Sequence, residues 1–84
     1  MKKNILSQFA SQFAEASLTS LVESFNAQVG NRGFNSVRAA HDHALIDELV
    51  RRGIDVSVIS DGHSISFAHY VALDESAMKL VIQN

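Results

Sequence analysis

The sequence NSVRAAHDHALIDELVRRG, residues 35–53, carries a helix start signal at one end and a helix stop signal at the other. Asn35 belongs to the residue types that cap helix N-termini, because its side-chain oxygen accepts a hydrogen bond from the first turn. The two arginines before Gly53 complement the negative end of the helix dipole, and glycine suits the left-handed conformation that ends many helices. This stretch therefore predicts a helix over residues 36–52.

The chain before this helix has the pattern of a second, longer helix. No glycine or proline occurs between residues 4 and 29, and apolar side chains recur there at three- and four-residue spacing. The stretch GNRG that follows, residues 30–33, is typical of a turn. We therefore predict a helix over residues 4–29 and a short loop after it.

The apolar stripe of this first helix changes sides near residues 14–17. Leu6, Phe9 and Phe13 share one side of the helix, about 160° from the apolar residues that follow. A continuous helix would be about 39 Å long, whereas a globule of this size has a diameter of about 30 Å. Either the helix breaks near residues 15–19 and both pieces fold onto one core, or it continues and packs its first half against a second subunit. We favour the second alternative, which assigns self-association to Leu6, Phe9 and Phe13.

Alternating apolar residues after Gly53 predict β-structure. Asp61-Gly62 is a strong hairpin-turn signal, and placing these two residues in the turn puts the large apolar side chains of both flanking segments on one face. We predict strands over residues 54–60, 63–73 and 78–82, with a short helix capped by Asp74 as the alternative for the last segment. The expected fold is α+β: two N-terminal helices packed on one face of a three-stranded antiparallel meander, in the order α-α-β-β-β, within a single domain spanning residues 1–84.

The opposite face of the predicted sheet carries small, uncharged side chains. A solvent-facing sheet normally presents Lys, Glu or Thr, so their absence suggests that a partner or ligand covers this face. Two arginines near the second helix are candidates for polar contacts, and with the helix N-terminus they offer an anion site, although a solvated connector is the more common arrangement there. The predicted partner or ligand face comprises Ser57, Ser64, Ser66, Tyr70, Arg32 and Arg38.

The composition excludes several classes of function. The 84 residues include no cysteine, which rules out disulfides, thiolate metal sites and a cysteine nucleophile. A formal net charge of -2 provides no field that attracts nucleic acid, and the arginines form no basic stripe. No apolar run is long enough for a transmembrane helix, so we expect a cytoplasmic protein that does not bind membranes. A core this small is marginally stable, and we expect a homo-oligomer, with a dimer as the first choice.

The titratable residues form no recognisable catalytic or metal motif. His41 and His43 are two residues apart, so on a helix they point about 200° from each other and cannot hold one ion. His63 and His69 fall on the predicted hairpin, and the roles of His41, His63 and His69 stay open. No serine lies in a nucleophile motif. We therefore expect no metal, no cofactor and no enzymatic activity.

Two functional hypotheses follow from these observations. The first is a small, non-enzymatic, homo-oligomeric protein-interaction module of a regulatory, inhibitor-like kind, such as mobile elements encode, with another protein as its partner. The alternative is a protein that binds a small polar ligand, nucleotide-like or anionic, in a pocket between subunits. Stabilisation by a ligand would favour the alternative, and stoichiometric capture of one protein would favour the first.

Overall fold

The computed structural model describes residues 5–30, 33, 35–62 and 64–83. Within them the chain forms three helices, α1 (Ile5–Ala14), α2 (Leu18–Asn26) and α3 (Ser36–Arg51), followed by two strands, β1 (Val71–Asp74) and β2 (Lys79–Ile82). The α+β class is therefore confirmed. Helix α1 packs along α3, and α2 packs against both α3 and β1.

Helix α3 agrees with its prediction to within one residue. The Asn35 side chain accepts a hydrogen bond from the Arg38 N–H at 2.8 Å, which is the expected N-cap. After the helix, Gly53 adopts a positive φ of 83°, a conformation that costs glycine little. Each signal depends only on residues within one helical turn of the helix end, so the sequence alone predicts where this helix begins and ends.

The prediction of a single helix over residues 4–29 is wrong, because the helix is interrupted between α1 and α2. Ser17 caps α2, with its hydroxyl oxygen accepting from the Ser20 N–H at 3.1 Å. The break lies where the apolar stripe changes sides. It allows Phe13 of α1 and Leu21 of α2 to enter the same core, where both are buried. The alternative in which two pieces fold onto one core is therefore the one that the structure adopts.

An arginine of α3 holds the end of α1 in place. The Arg52 Nη2 donates to the carbonyl oxygens of Phe13 at 2.9 Å and of Ala16 at 2.7 Å. These carbonyls belong to the last turn of α1 and the residues after it, where helix carbonyls lack partners within the helix. The same guanidinium donates through Nε to Glu48 at 2.5 Å. Arg52 therefore ties α1 to α3 through charge-assisted hydrogen bonds.

The three-stranded meander is a second prediction that the structure corrects, since only two strands are present among the described residues. The segment predicted as strand 54–60 coils instead. The Asp55 carboxylate accepts from the Ser57 N–H at 2.8 Å, and the Ser60 N–H bonds the Val56 carbonyl at 2.9 Å. Local bonds of this kind compete with a strand ladder. What remains of the predicted hairpin is one isolated bridge, between Ser60 and Ile65.

Strand β2 lies inside the predicted strand 78–82, whereas β1 overlaps only the end of the predicted strand 63–73 and extends one residue past it. They pair antiparallel, with Val71 opposite Ile82 and Leu73 opposite Leu80. Asn26, at the end of α2, covers the outer edge of β1, because its side chain accepts from the Val71 N–H and donates to the Val71 carbonyl, both at 2.9 Å. The amide thus pairs with Val71 as a neighbouring strand would. The largest fully buried side chains are Leu21, Phe25, Leu45, Leu49, Val71 and Leu80.

The carboxylate of Glu48 is buried and doubly paired. Hydrogen bonds from Arg51, and then from Arg52, hold its pKa at about 2, below the ordinary value of 4.5 and against the opposing effect of burial. A carboxyl group whose pKa is lower in the folded state stabilises the fold above its unfolded pKa, and that stabilisation is lost as the pH falls through the folded value. The contribution of Glu48 is therefore complete above pH 4.5 and disappears toward pH 2.

This linkage predicts a pH-dependent cost for Glu48→Gln. We expect the variant to lose about 2 kcal/mol of unfolding free energy at pH 7, the value of charge-assisted hydrogen bonds. The difference from wild type should shrink as the pH falls from about 4.5 toward about 2, because wild-type Glu48 then takes up a proton. Urea unfolding across this pH range measures it. Glu23→Gln, at an exposed carboxylate of α2, is the control, and a constant difference at all pH values would contradict the prediction.

Candidate functional site

A groove runs between one face of α3 and the irregular segment 56–67. It has a volume of about 500 Å³, within the range of about 300–1,000 Å³ typical of binding sites. The α3 residues follow three- and four-residue spacing, which places them on one face of the helix. One wall consists of Ala39, Asp42, His43, Ile46, Asp47 and Val50, and the other of Val56, Ser60, Gly62, Ser64, Ile65 and Phe67. We call this the α3 groove.

The apolar part of the α3 groove is anchored in the core. Ile46 and Val56 are buried, and Phe67 stacks on the fully buried Phe25 with 4.9 Å between ring centroids. Val50, on the helix wall, is 55% exposed. Val50 therefore adds exposed apolar surface to the mouth of the groove.

Arg38, predicted to face a partner or ligand, is instead engaged inside the fold. Its Nε donates to Gln28 Oε1 at 2.6 Å, its guanidinium lies 3.5 Å from Asp42, and it also donates to the Gly33 carbonyl. The guanidinium carbon lies 5.3 Å from the centre of the Phe67 ring, a cation–π contact. Arg38 therefore fastens the connection between α2 and α3, with few donors left for a ligand.

The phenylalanines predicted to self-associate pack within this chain. Phe13 is only 5% exposed, and the Phe9 and Phe13 rings stack at 6.4 Å. Each ring meets the edge of the His41 ring at 5.1 Å, and His41 Nδ1 lies 2.9 Å from Gln28 Nε2. Within this chain the break after α1 turns both rings onto α3, and their predicted self-association stays a prediction. The Leu6 side chain lies outside the described residues.

Three of the serines assigned to the partner face do come together. Ser57, Ser64 and Ser66 line a smaller cavity of about 250 Å³, with Val58 on its rim, 43% exposed. Within the described part of the chain this serine hollow shares Ser60, Ser64 and Ile65 with the α3 groove. The predicted grouping arises from a coiled segment and not from a sheet face.

The remaining predicted site residues lie elsewhere. Tyr70 is exposed before β1, with its carbonyl accepting from the Gln83 N–H at 2.8 Å, whereas Arg32 and His63 lie outside the described residues. His69 is exposed and does not line either cavity. Among the described residues, no group of three His, Asp or Glu side chains is placed to hold a metal ion, and no helix is long and apolar enough to span a membrane.

Sequence reasoning missed the helix wall of the α3 groove. The signal was present as two adjacent apolar pairs, Leu45-Ile46 and Leu49-Val50. Leu45 and Leu49 are fully buried in the core, and Ile46 and Val50 form a second apolar stripe beside them. The apolar face of α3 is therefore wider than packing against the core requires. Comparison with known families, curated proteins and solved structures finds no match. Function is therefore inferred from the groove itself.

Proposed function

We propose that this chain is a small, non-enzymatic protein-interaction module that binds a segment of another protein in the α3 groove. The observation that carries this proposal is that two neighbouring cavities share lining residues. The α3 groove and the serine hollow share Ser60, Ser64 and Ile65, so the concave surface extends beyond the groove itself. A small molecule occupies one cleft or cavity of this size, whereas an extended peptide segment can contact both cavities at once.

The length of the helix wall supports a protein segment as the occupant. From Ala39 to Val50 the wall is about 17 Å long at 1.5 Å per residue, which matches three turns of a partner helix. Two exposed valines lie on this surface, Val50 at the end of the helix wall and Val58 in the serine hollow. Apolar anchors from a partner would cover both side chains, as in helix-in-groove recognition.

The alternative hypothesis, a small polar or anionic ligand, has less support. No arginine or lysine lines the α3 groove among the described residues, and Arg38 is held by Gln28 and Asp42. A phosphate or carboxylate ligand would meet the exposed carboxylate of Asp47 on the helix wall, which repels an anion.

We also propose that the module regulates its partner as an inhibitor does. We further propose that it is cytoplasmic and forms a homo-oligomer. The dimer that we expect would use a surface other than the Phe9 and Phe13 rings, which contact α3. A measurement of mass in solution tests the dimer separately from the groove.

A variant in the groove and a matched variant outside it test the binding surface. Val50 and Val37 are both exposed valines of α3, at 55% and 50%, but only Val50 lines the groove. Peptides selected from a random 16-residue display library on the wild-type protein should bind Val50→Gln at least fivefold more weakly, because glutamine fills the groove with a polar amide. Their binding to Val37→Gln should be unchanged.

Three outcomes would overturn the proposal. The first is a selection that yields no binders, and the second is a set of binders that tolerate Val50→Gln. The third is a wild-type dimer that dissociates when Val50→Gln is introduced, as measured by sedimentation, because a second copy of the chain would then be the occupant of the groove.

A further inference from the structure

The charged side chains that line the α3 groove, among the described residues, are carboxylates. Its walls carry two carboxylates, Asp42 and Asp47, and no lysine or arginine among the described residues. A third carboxylate, Asp61, lies beside Gly62 and lines the serine hollow. The Arg38 guanidinium offsets the charge of Asp42, so a partner that enters this surface meets the negative charges of Asp47 and Asp61.

The two carboxylates of the helix wall differ in their availability. Asp42 is 3% exposed and already lies 3.5 Å from the Arg38 guanidinium and 3.1 Å from His41 Nδ1. Asp47 is exposed, and within the described ranges it has no hydrogen-bond or ion-pair partner. Arg51, one turn further along α3, is bonded to Glu48 instead. Asp47 is thus free to accept a cation from outside the chain.

The Asp47 carboxylate lies next to the apolar side chains of the groove. It lies on the same wall as Ile46 and Val50, and the opposite wall offers Ile65 and Phe67. An apolar side chain placed between these walls brings its neighbours in sequence within reach of Asp47. We propose that the occupant of the α3 groove is a basic amphipathic segment of a partner protein, in which a lysine or arginine beside the apolar anchors pairs with Asp47. This inference rests on the proposed function.

Two synthetic peptides of opposite charge test it. One is a 14-residue amphipathic helix with three leucines on one face and two lysines beside them, and its twin has glutamates in place of the lysines. The lysine peptide should bind about fivefold more tightly, because an exposed ion pair contributes modestly to affinity. Asp47→Asn should reduce this preference below twofold, whereas Glu23→Gln, at an exposed carboxylate of α2 outside the groove, should leave it unchanged.

NMR titration of the full chain measures these affinities and shows whether the groove residues are perturbed. Equal affinity for the two peptides, or a preference that survives Asp47→Asn, would overturn the inference that the partner segment is basic. The proposal that the groove is a binding surface would still stand. Binding that Val50→Gln does not weaken, or no binding of either peptide at millimolar concentration, would overturn the proposed function as well.

Discussion

Arg52→Ala is expected to lower the unfolding free energy by about 3 kcal/mol, since it removes one of the two arginines that donate to the buried Glu48 carboxylate. The Arg52 side chain is 20% exposed, and Glu48, which accepts from it, is 5% exposed. The substitution also removes the donor to the carbonyls of Phe13 and Ala16. A chain of 84 residues has a total stability of only about 4–13 kcal/mol, so this loss takes the fold close to unfolding.

Arg51→Ala is the matched control for this prediction. Arg51 donates to the same Glu48 carboxylate but is 63% exposed, and none of its hydrogen bonds reaches α1 among the described residues. We expect a much smaller loss than for Arg52→Ala, because an exposed ion pair contributes little to stability. Urea unfolding followed by circular dichroism gives both values, and hydrogen exchange should show α1 amides losing protection in Arg52→Ala alone. Equal losses in the two variants would mean that the contacts to α1 contribute no stability.

Phe25→Ala is expected to cost about 4 kcal/mol, because it removes a large side chain from the interior and leaves a cavity. Phe25 is fully buried and stacks on Phe67, which forms part of the α3 groove. The substitution should therefore weaken peptide binding even at temperatures where the variant stays folded. Thermal unfolding measures the first effect, and the titration with the lysine peptide measures the second.

Phe25→Leu separates the loss of volume from the loss of ring stacking. It keeps an apolar side chain in the cavity, so the cost should be about 1–1.5 kcal/mol, equivalent to a decrease in Tm of about 5–10 °C for a domain of this size. A loss below about 1 kcal/mol for Phe25→Ala would contradict the packing of Phe25 between α2 and the groove.

The candidate site shows how far residue patterns reach. Ser57, Ser64 and Ser66 were grouped on the assumption of a hairpin, and the structure brings them together around the serine hollow although the hairpin is absent. Short polar residues near turns are accessible in either geometry. The groove itself escaped prediction because its walls are separated along the chain and meet only when segment 56–67 folds against α3.

The largest error in the fold concerned residues 54–60, where alternation of apolar and polar residues predicted a strand. The same alternation allows Ile54, Val56 and Ile59 to enter the core from a coiled segment, and all three are buried. Hydrogen bonds made by Asp55 and Val56 to nearby backbone N–H groups favour the coil. Periodicity reports which side chains are buried, and it does not report where the backbone hydrogen bonds go.

The sequence alone determined the features that depend on neighbouring residues. These are the α+β class, the ends of α3 at Asn35 and Gly53, the change of sides in the apolar stripe near residues 14–17, and the last strand. Only the tertiary structure decided that this change of sides marks a broken helix, because the ends of the break are held by His41 and Arg52, which lie far along the chain from Phe13. The same holds for the α3 groove and its free carboxylate, since a cavity exists only where distant segments pack and leave space between them.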